Sequence, residues 1–333
     1  MADHRFDVTA IGNAIVDVLA KAHDSLLATH KLPKGAMSLI DAADADRLYG
    51  IMGPGREVSG GSAANTAAGI AALGGKVAYI GKVAADQLGQ VFTHDIRAAG
   101  VTYDTAPLVH GLSTARCLIF VTPDAQRTMQ TFLGATTQLG PEDVNMDYIT
   151  ASQVVYLEGY LWDQPRAKKA MREAAIKAHD AGVKVALTLS DAFCVARFRD
   201  EFLELAHDHV DILFANEREI LSLYQVPTFD EAAKLVRTHC EIAALTRSEK
   251  GSVVVKGDEV HVIEAEKGVN VVDTTGAGDA YAAGFLYAFT RGRDLATCGR
   301  LGGMMAAEII SHYGARPEAD VKALAAQVMG ARV

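Results

Sequence analysis

Short apolar runs alternate with longer stretches of helical period along most of this chain, and no other feature constrains its fold as strongly. Phe6 to Ile11, Val77 to Gly81, Val154 to Leu157, Val183 to Leu189, Val210 to Phe214 and Ile242 to Leu245 read as buried strands. Between them, Ala63 to Leu73, Gln87 to Ala99, Pro165 to Ala181, Phe198 to His207 and Asp230 to Cys240 are amphipathic. Pro165 suits a first helical turn, and Gly182 sits where a helix would stop. This rhythm predicts right-handed βαβ units, and therefore an α/β fold with a mostly parallel sheet and helices on both faces. From Gly276 onward the pattern is nearly all helix.

Two regions break the rhythm. Residues 17–58 carry no clean helical period, and residues 101–134 hold strand-like Ala115 to Val121 and Thr128 to Leu133 around the turn Thr122-Pro123-Asp124. Neither is large enough for a core of its own. Together they read as a small β-rich flap, leaving residues 1–16, 59–100 and 135–333 as the main domain. The flap is either a lid over a site or a pair of surface hairpins. A chain of 333 residues accommodates one large domain with such an appendage.

The 32 basic and 41 acidic residues give a net charge of −9, which disfavours a dedicated nucleic-acid binder. No apolar run approaches the ~18 residues of a membrane helix, so neither a nucleic acid nor a membrane is expected as a partner. The opening MADHRFDVTAIG runs into a strand without the marks of a signal peptide. Cys117, Cys194, Cys240 and Cys298 are widely spaced, without a Cys-x-x-Cys pair. The expectation is a cytoplasmic protein with reduced, mostly buried thiols.

The strongest chemical signal is Asp273-Thr-Thr-Gly-Ala-Gly-Asp279, followed by the apolar AYAAGFLYAF. A glycine-rich turn opening a helix leaves several backbone N–H groups without helical partners, aligned with the helix dipole, and so forms a ready anion site. Gly276 and Gly278 permit tight backbone angles and close approach of a phosphate, and Ala277 is nearly as small. Asp279 falls in the first turn. There it is either a carboxylate that complements the dipole or a base placed to take a proton from a hydroxyl attacking that phosphate.

A second small-residue helix start is Gly60-Gly61-Ser62-Ala-Ala-Asn65, followed by TAAGIAALGG. It either packs tightly on the sheet, with Asn65 an ordinary surface residue, or lets a ligand approach, with Asn65 offering both donor and acceptor. Rival motifs are missing. There is no G-x-x-x-x-G-K-[ST], and Gly12-Asn13-Ala-Ile-Val-Asp17 after the first strand is not G-x-G-x-x-G.

Two such helix starts, one early and one late, resemble the two signatures of the PfkB-type carbohydrate kinase family within the ribokinase superfamily. GGSAANTAAGIAALGG is similar to the first, and VDTTGAGDAYAAGFLYAF closely resembles the second, the more specific of the pair. Asn216-Glu-Arg-Glu219 after VDILFA matches the family's Asn-x-x-Glu element. The resemblance covers essentially the whole chain. It implies a ribokinase-like αβα sandwich with a small β-sheet lid, and the use of ATP and Mg2+. It makes Asp279 the base, with the N–H groups of Gly276, Ala277 and Gly278 stabilising charge on the transferring phosphoryl group. Asn216 and Glu219 would organise the water shell of Mg2+, which binds few protein groups directly.

The family's Thr-x-Gly-x-x-Gly element, which helps hold the nucleotide, reads Thr246-Arg247-Ser248-Glu-Lys-Gly251 here. Thr246 and Gly251 carry over. Serine in place of the first glycine leaves open the backbone path and any contact from Arg247. Asp273 and Thr275 match positions that hold a monovalent cation such as K+ in ribokinase-like members, a role that varies across the family.

For the acceptor, the resemblance assigns Asp17, Gly61 and Asn65 to sugar hydroxyls, a trio that sugar and nucleoside kinases share. The opening Gly12-Asn13-Ala-Ile-Val-Asp17, the run Leu187-Thr-Leu-Ser-Asp-Ala-Phe193 and VDILFANERE are similar to segments of adenosine kinase-like members. Phe193 could stack on a purine. Met37 and Tyr160 are weaker candidates for the same apolar wall, and for them ordinary core or lid packing is the expected role. The implied reaction is phosphorylation of the 5′-hydroxyl of adenosine or a related purine nucleoside. A ribokinase- or fructokinase-like sugar kinase is the alternative, and a non-catalytic sensor a third reading, against which the intact Asp279 turn argues. An exposed lid edge leaves the chain either a monomer or a homodimer.

Overall fold

The computed structural model describes residues 4–124 and 126–330; residues 1–3, 125 and 331–333, which fall inside the segments assigned above, lie outside that description. The main sheet runs, in spatial order, Glu259–Ile263, Ser252–Lys256, Ile242–Thr246, Ile212–Asn216, Lys184–Thr188, Ser152–Glu158, Phe6–Ile11 and Val77–Ile80. The last six are parallel and the first two antiparallel, so the sheet is mixed and mostly parallel, as expected. Strand pleating sorts the apolar runs between two cores. Val154 and Tyr156 enter the core beneath the C-terminal helices, while Val155 and Leu157 enter the core on the opposite face. Burial on both faces is why these strands read as continuous apolar runs.

The helices Ala277–Phe289, Leu295–Ile309 and Ser62–Ala72 cover one face. Pro165–Asp180 lies on the other. The amphipathic stretch from Phe198 is the helix Arg199–His209, and a separate short helix, Ala192–Arg197, precedes it. The hairpin Ser252–Lys256 to Glu259–Ile263 turns through Gly257 and Asp258, with Lys256 paired to Glu259, and lies beyond the last strand expected from the sequence.

The small sheet runs Met37–Leu39, Arg127–Phe132, Ala115–Val121, Ile15–Lys21 and Gly55–Gly60. It is not purely β-rich. Asp24–Thr29 and Ala42–Tyr49 are helices that place Leu27 and Leu48 against Val16, Val18, Leu118 and Phe120 on one face of this sheet. Residues 101–114 hold no strand of this sheet; Thr102 and Leu108 instead bridge to Ala78 and Ala84 beside the main sheet. Alternation turns the other face of the small sheet toward the main domain. Register places Asp17 beside Cys117, and Cys117 beside Thr131, on that face. All four cysteines are buried and free. No helix among the described residues is long and apolar enough to cross a membrane.

Candidate active site

A cleft of about 1760 Å³ opens between the two sheets, at the C-terminal ends of the parallel strands. In an open α/β sheet these strand ends are where loops and helix starts converge on ligands. Asn13, Glu158, Asn216 and Thr246 reach the cleft from four such ends, and Asp17 reaches it from the small sheet.

The two glycine-rich helix starts meet here. Gly276 is the N-cap of Ala277–Phe289 at φ +78°, and a Cβ there would lie 2.6 Å from Ala315 Cβ, so conformation and packing both demand glycine. Gly278 differs from the expectation of tight backbone angles. Its backbone is helical, and a Cβ would meet nothing within 4 Å. Glycine inside a helix costs about 1 kcal/mol relative to alanine, yet the fold does not need it here; what it leaves is room for a ligand against the turn. The N–H groups of Gly276 and Gly278 have no acceptor among the described residues, whereas that of Ala277 closes back on the Thr274 carbonyl at 3.3 Å.

Asp279, in the first turn, accepts hydrogen bonds from Ser62 Oγ at 2.6 Å and from Asn65 Nδ2 at 3.0 Å. Thr66 Oγ1 donates to the Asp279 carbonyl at 3.2 Å, tying the helices together. Burial pushes the Asp279 carboxyl up to about 6, against the lowering pull of Ser62, Asn65 and the Arg316 charge. A carboxylate poised just below neutrality, beside free N–H donors, can take a proton from an alcohol. Ser62 and Arg316 were not anticipated. The Arg316 guanidinium donates to the Ala64 carbonyl at 2.9 Å and to the Ser59 carbonyl at 2.6 Å, holding the early helix start in place.

Asn13 is buried and donates through Nδ2 to Glu158 Oε1 at 2.7 Å; Glu158 Oε2 accepts from the Ala63 N–H at 2.8 Å. Glu158, which sequence reasoning missed, thereby fixes both Asn13 and the early helix start, and burial raises it to about 7. Gly61, at φ +97°, caps that helix with no room for a side chain, since a Cβ would stand 2.1 Å from the Asn13 carbonyl. The Asp17 carboxylate accepts no hydrogen bond among the described residues; burial raises it to about 7, opposed by the Arg316 and Arg127 charges.

Asn216 and Glu219 form a capping box. Asn216 Oδ1 accepts from the Glu219 N–H and Glu219 Oε2 from the Asn216 N–H, each at 2.9 Å, and burial lifts Glu219 to about 7. Both line the cleft. Thr246 and Gly251 line it too, but Arg247 does not. Its guanidinium pairs with Glu217 at 2.9 Å and lies 4.0 Å from the Phe229 ring centre. Ser248 adopts φ +52°, keeping the left-handed path of a glycine, and the turn closes through an Arg247 N–H to Gly251 carbonyl bond of 2.7 Å.

Asp273 and Thr275 lie together at the start of the anion turn. Asp273 Oδ1 accepts from the Thr275 N–H and Oδ2 from the Gly314 N–H, each at 3.1 Å. Arg127, another residue that sequence reasoning missed, brings Nη2 to 2.6 Å from Asp273 Oδ2 as an ion contact without hydrogen-bond alignment.

The cleft also carries bare apolar side chains. Phe193 is 74% exposed, Met37 48%, Leu39 57% and Tyr160 39%, and all four line the cleft. Met37 and Tyr160 are therefore not packed away, contrary to expectation. No group of three or more His, Cys, Asp or Glu side chains gathers into a metal site among the described residues.

The sequence profile of the pfkB family carbohydrate kinases matches residues 45–322. A crystal structure described as adenosine kinase from Sinorhizobium meliloti is 54% identical, superposes with a TM-score of 0.89, and is matched over 97% of this chain and 99% of that one. A structure described as a probable sugar kinase protein from Rhizobium etli is 52% identical, with a TM-score of 0.90 over 98% and 99%. Adenosine kinase of Saccharomyces cerevisiae is 27% identical over 92% of this chain and 95% of its own length.

Proposed function

The chain belongs to the pfkB family of carbohydrate kinases, phosphotransferases with an alcohol acceptor, and on that premise we propose that it uses ATP and Mg2+ to phosphorylate the 5′-hydroxyl of adenosine or a related purine nucleoside. The observation that carries the nucleoside over a free sugar is the exposure in the cleft of four large apolar side chains, Phe193, Met37, Leu39 and Tyr160. A free sugar presents hydroxyls and gains little from four exposed apolar side chains, whereas a purine ring has apolar faces to bury against them. The adenosine kinase of S. meliloti, at 54% identity, supports the same reading.

In this proposal Asp17, whose carboxylate is uncommitted, accepts the ribose hydroxyls with the help of Asn13, Gly61 and Asn65. Asp279 takes the proton of the 5′-hydroxyl. The free N–H groups of Gly276 and Gly278, aligned with the helix dipole, stabilise the charge on the phosphoryl group as it moves. Thr246 and Gly251 flank the nucleotide. The donor set fits Mg2+, because that ion keeps several waters and leans on substrate phosphates rather than a protein cage. Asn216 and Glu219 would face its water shell, and the ion would supply charge neutralisation. Four buried free thiols fit a reducing, cytoplasmic setting.

A sugar kinase is the second reading, favoured by the R. etli neighbour and by Asp17, which suits any vicinal diol. ADP release with Mg-ATP against adenosine, guanosine, ribose and fructose separates the two. Adenosine or guanosine should lead in kcat/KM by at least about 100-fold, the worth of roughly 2.7 kcal/mol of base contacts. Turnover of free sugars without nucleosides would reject the proposal.

A further inference from the structure

The residues matched to a monovalent-cation position already hold a cation, and it is part of the chain. Arg127 opens the strand Arg127–Phe132 of the small sheet, on the face that carries Met129 and Thr131 into the cleft. Its guanidinium reaches across to Asp273, with Nη2 2.6 Å from Oδ2, and Nη1 stands 3.4 Å from Thr275 Oγ1. Both charged side chains are more than nine-tenths buried, at 8% and 7% exposure. The Tyr313 ring packs over the guanidinium at 5.5 Å.

The donor set does not fit K+. Such an ion needs several oxygens turned toward one point, but the carboxylate of Asp273 is engaged on both atoms, by the N–H groups of Thr275 and Gly314 and by Arg127. A second positive charge would stand within a few ångströms of the first in a site shielded from water, where repulsion is stronger than in bulk solvent.

We propose that Arg127 replaces the monovalent cation, supplying by a side chain the positive charge that orders the anion turn, so that the enzyme works without K+. Arginine suits the task because it stays charged at every accessible pH and its planar fork is held by few rotamers. It acts through Asp273 and Thr275 and is therefore a positioning residue. The charge is carried by the small sheet, which ties that sheet to the turn as a dissolved ion could not.

The test compares KCl with choline chloride at fixed ionic strength, reading both ATP-dependent turnover and melting temperature. Wild-type turnover should change less than about twofold and its melting temperature should not respond. A tenfold activation by K+, or a K+-specific rise in melting temperature, would overturn the proposal. Melting does not depend on the acceptor, so failure of the nucleoside assignment would leave this readout intact. Arg127→Ala should lose about 10–100-fold in kcat in choline, less than the ~10²–10³-fold of losing a direct charge-stabilising contact because it acts through Asp273 and Thr275. K+ should then restore at least a tenfold share and raise its melting temperature, and Arg127→Lys should keep most of the rate. Full activity of folded Arg127→Ala in choline would also sink the idea; should that variant not fold, the wild-type comparison decides alone.

Discussion

Around the anion turn the polar side chains of the cleft are bonded to one another, while on the side proposed to take the acceptor Asp17 and several apolar side chains stand open. Asp279 is held by Ser62 and Asn65, Asp273 by Thr275, Gly314 and Arg127, and Glu219 by Asn216. On the acceptor side Asp17, near enough to Asp279 and Arg127 to feel their charges, has no hydrogen-bonded partner among the described residues, and Phe193 is three-quarters bare. The anion turn is preorganised, so no reorganisation is required when charge develops there. The acceptor side completes its contacts only with a ligand. Chemistry should then be set at the first and acceptor choice at the second.

The largest effect expected from this division is that of Asp279→Asn. Loss of a general base costs ~10²–10⁴-fold in kcat, and the loss should be of similar size for every acceptor, with KM shifted only a few-fold. Near-normal kcat would remove Asp279 from the reaction. A loss confined to one acceptor would break the separation between the two regions.

Phe193→Ala probes the acceptor side with a smaller effect. Stacking of one base on an aromatic ring is worth about 1–3 kcal/mol, so KM for adenosine should rise roughly 5- to 150-fold, with kcat nearly kept and any weak ribose turnover unchanged. The exposed position of Phe193 makes the variant structurally mild. An equal loss for ribose would mean that the ring supports the fold and not the base.

The same contrast governs what the sequence could reveal. The anion turn was legible because its parts are local: glycines, a helix start and an acid in the first turn lie within Asp273 to Asp279. Its supports were not, because they arrive from far along the chain. Ser62 meets Asp279 across 217 positions, Asn13 meets Glu158 across 145, and Arg127 reaches Thr275 across 148. Glu158 did leave a trace, as an acid ending a buried strand, the place where α/β sheets present groups to ligands. Arg316 left none, lying in a loop without local pattern. The helices Asp24–Thr29 and Ala42–Tyr49 are too short for a period to register, and form because Leu27 and Leu48 cover the small sheet. The hairpin at Gly257 and Asp258 was readable from its two-residue turn between apolar strands. The acceptor side is least legible of all, because exposed Met37 and Tyr160 have the composition of core residues.

The smallest effect is that of pH, and it should separate the two regions on one axis. Asp17 is raised to about 7 and Asp279 to about 6, both by burial. In the proposed reaction the ribose hydroxyls bind the ionised form of Asp17, and Asp279 must be ionised to accept a proton. As pH falls, kcat/KM should therefore begin to drop near 7, and kcat, read with Asp17 already covered by substrate, only near 6. Stability should move the other way. Asp17, Glu158 and Glu219 sit near 7 and Asp279 near 6, all above the ordinary carboxyl range. Between about pH 5 and 7 the folded chain thus binds more protons than the unfolded one, and linkage makes stability fall as pH rises through that window. The contribution is full below the unfolded values, near 4, and is lost through 6 to 7. Urea midpoints should be higher at pH 5.5 than at pH 7.5 while turnover is lower. Parallel loss of both on acidification would mean that these carboxyls are charged and paired in the native state, and that neither region of the cleft is poised as described.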